Sequence, residues 1–227
     1  MAIVSVIGLG AMGAAYAAKL SIVDDVHLRV IAAGARADRL ARDGVTVNGQ
    51  RHSFEVVDPQ QPSSPADLVI FGVKHPALGA ALEEAHGQIG PKTIILSLLN
   101  GITSEAEIAQ AYPEATVLLS ITYGVDSVRV ENDIHYSSLG VMDFGQAHNG
   151  STPTPAVSWL GDLFTRAGLA FTVPADMVAR LWWKWLVNTG VNQVTAILEA
   201  PYAIVQTTGS PAQELMLAAQ AEVIALA

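Results

Sequence analysis

The sequence predicts an α/β protein: a mostly parallel sheet domain over residues 1–172, followed by an all-helical segment over 173–227. Three observations predict it. Short apolar runs alternate with helix-length segments through most of the chain, the pattern of a parallel sheet with right-handed crossovers. A glycine-spaced turn, GLGAMG, directly follows the first of those runs. Beyond Asp176 no strand pattern remains.

The elements follow in order. Ala2–Ile7 reads as a buried strand and Met12–Leu20 as a helix of small residues able to pack closely on a sheet. His27–Ala32 is the second strand and Ala35–Arg42 a short helix. Val45–Val47 and His52–Val57 read as a hairpin through Asn48-Gly49, a dipeptide suited to a two-residue turn. Asp58–Asp67 (DPQQPSSPAD) is a loop by composition. Strand Leu68–Val73, helix Ala77–His86, strand Thr93–Leu99, helix Ser104–Ala111 and strand Thr116–Thr122 continue the alternation. Ile134–Phe144 is expected as antiparallel edge strands, and Pro155–Ala167 as one more helix. From Asp176 a long helix runs to about Glu199 and is broken by Pro201. Another helix starts with Ser210 as cap and Pro211 at the first helical position.

Composition narrows the function classes. The 227 residues are 51% hydrophobic and 15% charged, which excludes intrinsic disorder. There is no cysteine, so disulfides, zinc–thiolate sites and thiol nucleophiles are excluded. A net charge of −9 argues against a general nucleic-acid binder. No run reaches the ~18 uninterrupted apolar residues of a spanning helix, and MAIVSVIGLG lacks a basic leader. A cytoplasmic protein is expected. The apolar Glu214–Ala227 reads as a core helix cut before its partners, so the helical segment is expected to be the start of a domain that is incomplete here.

The strongest motif is Gly8-Leu9-Gly10-Ala11-Met12-Gly13. It follows a strand, opens a helix and sits in a βαβ unit, the context that makes G-x-G-x-x-G a dinucleotide-binding, Rossmann-type fingerprint. Gly8 permits the turn, Gly10 the approach of a pyrophosphate, and Gly13 close helix–strand packing. Where an NAD binder usually carries an acidic residue, the chain reads Val30-Ile31-Ala32-Ala33-Gly34. Four of its eight arginines (Arg29, Arg36, Arg39, Arg42) lie close by. A 2′-phosphate suits that pattern, so NADP(H) is the expected cofactor, with Arg36 the first contact and Arg39 the second. Arg42 fits a solvated helix face.

Ligands of such sheets bind beyond the carboxyl ends of the strands. Lys74 and Asn100-Gly101 occupy two of those ends, where ordinary turn residues would also fit. In LWWKWLVNTGVNQVTAI, the residues Lys184, Asn188 and Asn192 recur every four positions, one polar stripe on an apolar, tryptophan-rich helix. A helix–helix hydrogen-bond seam and a ligand pocket both fit that stripe. The six histidines lack metal-ligand spacing, and no G-x-S-x-G elbow occurs. No metal site and no hydrolase are expected.

With these blocks together, from GLGAMG through Val73-Lys74 and Asn100-Gly101 to Trp183-Lys184 and Asn188–Asn192–Thr195-Ala196, the chain resembles the ketopantoate reductase (2-dehydropantoate 2-reductase) family. The resemblance implies NADPH-dependent reduction of a 2-keto acid in pantothenate biosynthesis, with a helical domain closing the substrate cleft. It implies Lys184 as general acid, Asn188 and Asn192 as substrate ligands, Asn100 between nicotinamide and substrate, and Lys74 in the cofactor cleft beside Gly8–Gly13. The expected partners are a small 2-keto acid and, through the helical domain, a second copy of the chain, with no nucleic acid and no membrane. Gln193 stands where the family commonly has proline, and Ala33 where it has arginine. A substrate-binding asparagine is replaced near Tyr202, and a later serine and glutamate have no counterpart. Two other functions compete: another NADP-dependent hydroxyacid or opine-type dehydrogenase, and a non-catalytic NADP(H)-sensing protein, which would not need Lys184.

Overall fold

The computed structural model describes residues 1–61 and 63–227; Pro62, within the expected loop Asp58–Asp67, lies outside the described residues. The chain divides into two compact units, Met1–Leu99 with Thr103–Met177, and Asn100–Ile102 with Val178–Ala227.

The first unit runs β1 (Ala2–Ile7), α1 (Ala11–Leu20), β2 (Val26–Ile31), α2 (Gly34–Asp43), β3 (Val45–Val47), β4 (Gln50–His52), β5 (Glu55–Val57), β6 (Leu68–Phe71), α3 (Leu78–Ala85), β7 (Ile94–Ser97), α4 (Ser104–Ala111), β8 (Thr116–Val117), β9 (Leu119–Val130), β10 (Asp133–Gly145), α5 (Pro155–Arg166) and β11 (Phe171–Thr172). Six of the strands form one sheet in the order β5-β2-β1-β6-β7-β8, and every pairing in it is parallel. The chain winds outward from β1 in both directions, which puts the switch point between β1 and β6. There the connections leave on opposite faces and open a crevice.

Alternation along the strands builds the two core layers. Val4, Val6, Leu68 and Ile70 face α1 and α5, packing on Tyr16, Leu20, Leu160 and Phe164. Ile7, Val69, Phe71 and Ile95 face the other way, onto Leu78 and Ala85 of α3 and Ile108 of α4. With both faces covered, these strands read as continuous apolar runs.

A second sheet runs β11-β10-β3-β4, with β9 added to β10. Two expectations change here. The hairpin at Asn48-Gly49 forms, with φ of 47° and 78° at its two central residues, but its second arm is only Gln50–His52. Glu55–Val57 instead joins the main sheet beside β2. The expected edge strands at Ile134–Phe144 are one 13-residue strand, β10, paired along its length with the 12-residue β9. The expected strand Thr116–Thr122 therefore splits at Leu118 between the two sheets.

The second unit is helical. α6 (Met177–Val187) continues through a π-helical turn, Asn188–Asn192, into α7 (Gln193–Ile197). A 3₁₀ turn spans Tyr202–Gln206, and α8 spans Pro211–Leu226, where Ser210 Oγ accepts from the Gln213 N–H as the sequence predicts. Gly190, inside the π turn, is buried against Gln220 of α8: a Cβ there would meet Gln220 Cγ at 2.5 Å. Val194, Val205 and Ala212 form the small core, while Leu215, Leu217, Ile224 and Leu226 of α8 are exposed. No helix among the described residues is long and apolar enough to cross a membrane.

Candidate functional site

At the switch point the three glycines of the turn are held for different reasons. Gly8 has φ +92°, and a Cβ on it would lie 2.7 Å from the Gly72 carbonyl carbon and from the Val73 nitrogen. A Cβ on Gly13 would sit 2.1 Å from the Gly8 oxygen. Both positions are therefore dictated by the protein itself. Gly10 is not: it has an ordinary backbone (φ −67°, ψ −174°), and its Cβ would touch only the Gly72 oxygen at 3.5 Å. Folding leaves the missing side chain at Gly10 unexplained, whereas a ligand approaching the main chain explains it. Gly10 caps α1 without a side-chain hydrogen bond, and the first turn carries no acid. Its N–H groups and partial positive charge are thus available to an anion, and Leu9, Ala11 and Met12 frame the turn. Gly72, at the end of β6, completes the close approach, since its own Cβ would meet the Gly8 oxygen at 2.6 Å.

Lys74 is exposed and starts the 3₁₀ turn His75–Ala77 after β6. Asn100 is exposed just after β7, followed by Gly101 at φ +109°. The two ends of the loop that carries Asn100 are pinned by a buried polar cluster. Ser97 and Ser104 hydroxyls lie 2.8 Å apart, and Ser104 donates to Glu105 at 2.8 Å. Ser120 Oγ donates to the Ser97 carbonyl at 2.6 Å. Burial raises the Glu105 pKa, opposed by hydrogen bonds from Ser104 and from the Glu105 and Ser120 N–H groups.

The arginines separate. Arg29 is buried on β2, with Nη2 donating to the Ser64 carbonyl at 3.0 Å, and desolvation lowers its pKa. Arg36 is on α2, its guanidinium in an ion pair with Glu84 of α3. Arg39 is exposed on the same helix, and Arg42 pairs with Asp43 at 2.8 Å. So the arginine read first for a 2′-phosphate already holds a carboxylate.

In the helical unit the stripe gains a member. Asn192 Nδ2 donates to Asn188 Oδ1 at 2.9 Å, and Tyr202 OH donates to Asn192 Oδ1 at 2.8 Å. This directed chain orients both amides and leaves the Asn188 Nδ2 group facing away from it as a donor. Lys184 stands one turn earlier on α6, half-buried, and desolvation lowers its pKa. Among the described residues it has no hydrogen-bond or ion-pair partner. The tryptophans surround it less than the sequence suggests. Trp182 and Trp185 pack edge to face at 5.3 Å, but Trp183 is 40% exposed beneath the Arg180 guanidinium.

Sequence reasoning missed three features. Gly72 lies outside any motif, and the π turn has no simple periodic signature. The third is on β9: Arg129 Nη1 donates to the Leu9 carbonyl in the glycine turn. That contact joins positions 120 residues apart, and no local pattern announces it.

Comparisons with known proteins agree with this architecture. The family model described as ketopantoate reductase PanE/ApbA matches residues 4–149. The 2-dehydropantoate 2-reductase of Streptococcus pyogenes serotype M6 is 25% identical over 87% of this chain and 64% of its own length. That of Mesorhizobium japonicum is 24% identical over 96% of this chain and 74% of its own. The chain thus spans under two thirds of the first of these relatives. Among solved structures, 2-dehydropantoate 2-reductase from Methylococcus capsulatus has a TM-score of 0.80 at 20% identity, covering 99% of this chain and 73% of that one. D-mandelate dehydrogenase with NADH has a TM-score of 0.82 at 22% identity, covering 98% and 72%. The structural likenesses establish the fold, and the family model, matching well over half of the residues, adds descent: the chain belongs to the ketopantoate reductase PanE/ApbA family.

Proposed function

We propose that the protein reduces a 2-keto acid, ketopantoate or a close analogue, with NADPH, and that it does so in the cytoplasm. The observation that carries the reading is the Tyr202–Asn192–Asn188 chain with, one helical turn earlier, a half-buried Lys184 that has no polar partner among the described residues. Reducing a ketone leaves negative charge on its oxygen, and stabilising that charge takes a proton donor with amide donors nearby. Lys184 holds that proton at Nζ, and its lowered pKa makes it a better acid at neutral pH than an exposed lysine. Asn188 and Asn192 orient the substrate.

The dinucleotide supplies the hydride when bound. The glycine turn fits it because Gly10 keeps clear the space that a Cβ would fill. In this reading Lys74, just past β6, serves the cofactor, and Asn100, just past β7, serves both cofactor and substrate. Arg36 meets the 2′-phosphate by releasing Glu84, with Arg39 as the second cation. A homodimer through the helical unit belongs to the same reading. It is supported by the exposed apolar residues of α8 and by a structural relative described as a dimeric ketopantoate reductase, from Staphylococcus aureus.

The test is to supply NADPH with ketopantoate and a panel of other 2-keto acids, and to follow nicotinamide oxidation. Turnover with at least one is expected. Tight NADPH binding without oxidation by any of them would overturn the reductase in favour of a sensor. A second reading, an aryl 2-keto acid as substrate, is favoured by the likeness to D-mandelate dehydrogenase, so benzoylformate belongs in the panel.

A further inference from the structure

The hairpin β9–β10 brings a cation to the glycine turn that neither the motif nor the family resemblance identifies. Ser127 and Arg129 are two apart on β9, so both project from the same face of the strand. Ser127 Oγ lies 3.9 Å from Met12 Sδ in the first turn of α1, and Arg129 donates to the Leu9 carbonyl. That face of β9 therefore runs along the glycine turn itself.

Among the arginines on the surface, Arg51 donates to one main-chain oxygen, that of Arg42, at 2.8 Å, and three others are neutralised. Arg36, Arg42 and Arg166 each pair with a carboxylate. Arg129 is anchored by two neutral main-chain oxygens, with Nη1 on Leu9 and Nε on Glu131 at 2.6 Å. Glu131, at the hairpin tip, has φ +53°, and its carbonyl fixes the guanidinium from the other side. Among the described residues no acid neutralises this group. A planar fork held by carbonyls keeps its full charge and its Nη2 donors for an incoming anion, the arrangement that suits phosphate oxygens. The setting calls for such a charge. The chain is acidic overall, at −9, and a bare helix N-terminus offers only about half an elementary charge.

We propose that Arg129 is a phosphate-binding residue of the dinucleotide site, contacting the diphosphate at the glycine turn, with Ser127 lining the same wall. The proposal rests on the reading of that turn as a nicotinamide-dinucleotide site. The diphosphate is chosen over the 2′-phosphate because Arg129 is tied to Leu9, between Gly8 and Gly10, rather than to the end of β2.

The test is titration of the full chain with NADPH and with NADH, followed by nicotinamide fluorescence at two salt concentrations. Arg129→Gln should weaken both ligands alike, by about tenfold, equivalent to about 1.4 kcal/mol, and should flatten the salt dependence. Arg129→Lys keeps the charge and should recover part of the affinity, and it stands in should the glutamine variant fold poorly. Weakening of NADPH alone would move the contact to the 2′-phosphate and overturn the assignment. Unchanged binding in both variants, with or without a shift in Tm, would reduce Arg129 to a brace for the hairpin. If the unmodified chain binds neither dinucleotide, the reading of the glycine turn fails first and takes this proposal with it.

Discussion

The two units carry their candidate sites in different materials. In the sheet unit the site is main chain. Gly8, Gly13 and Gly72 are fixed by contacts with each other's backbone, and the groups left available to an anion are N–H donors at the start of α1. In the helical unit the site is side chain: a lysine and two amides set along a helix that loosens into a π turn where the amides stand, and a phenol reaching them from the 3₁₀ turn that follows. A backbone site tolerates almost no change in geometry but asks little of residue chemistry. A side-chain site inverts that, because each group can be replaced without disturbing the helix and the chemistry goes with it.

The largest expected effect tests the second half of that contrast. Lys184→Ala should lower turnover by about 10²–10⁴-fold while leaving NADPH affinity and Tm nearly unchanged. Turnover within a factor of two of the unmodified chain would remove Lys184 as general acid. The direction of its pKa shift adds a pH signature. Because burial holds the Lys184 pKa below the ordinary 10.5, the acid is lost as pH rises through that lowered value. The alkaline limb of kcat should therefore fall below pH 10.5 and vanish in the alanine variant. The stability sign is separate. Between the lowered pKa and 10.5 the unfolded chain binds more protons, so stability rises with pH across that window.

The first half of the contrast is sharpened by a pair of substitutions in one turn. Gly13→Ala forces a Cβ to within 2.1 Å of the Gly8 oxygen and should cost at least ~1–3 kcal/mol of stability, read by denaturant unfolding. Gly10→Ala meets nothing closer than 3.5 Å and should fold normally, yet weaken NADPH by about tenfold or more if the dinucleotide closes on that main chain. Equal losses of stability in both would mean that the turn is glycine-rich for packing alone.

The same contrast explains what could be read in the sequence. The parallel sheet was legible because each strand buried on both faces is a compact apolar run, and the glycine turn because its spacing reflects local main-chain geometry. Lys184, Asn188 and Asn192 were legible as a set because i, i+4 spacing survives even where the helix widens. Tyr202 was noticed only as a replacement, because its hydroxyl reaches Asn192 across the chain reversal at Pro201. The pairing of Arg36 with Glu84 and the reach of Arg129 to Leu9 depend on contacts 48 and 120 residues apart, which no local window holds. The long β9–β10 hairpin was underestimated for a related reason. Its outer half is polar and glycine-containing, so its alternation looks like loop.

A smaller effect probes the phenol. Tyr202→Phe removes the donor that orients Asn192 and should cost roughly 0.5–1.5 kcal/mol at that bond. It should appear as a rise in KM for the keto acid with NADPH affinity intact. An unchanged KM would leave the amides oriented by something other than the Tyr202 hydroxyl.

The smallest expected effect lies in the buried cluster that pins the Asn100 loop. Glu105 is 3% exposed and faces donors, not a cation, so desolvation raises its pKa above the ordinary 4.5. Between 4.5 and the raised value the folded chain holds more protons than the unfolded one. Stability must therefore fall as pH rises through that window and recover on acidification. Glu105→Gln carries no titrating group and should flatten that part of the profile of Tm against pH. It keeps one acceptor for the Ser104 hydroxyl, so the loop anchorage should survive with at most a modest drop in turnover. A profile unchanged by the substitution would show that the hydrogen bonds from Ser104 and the two backbone N–H groups fully offset burial, leaving Glu105 as ordinary a carboxylate as one at the surface.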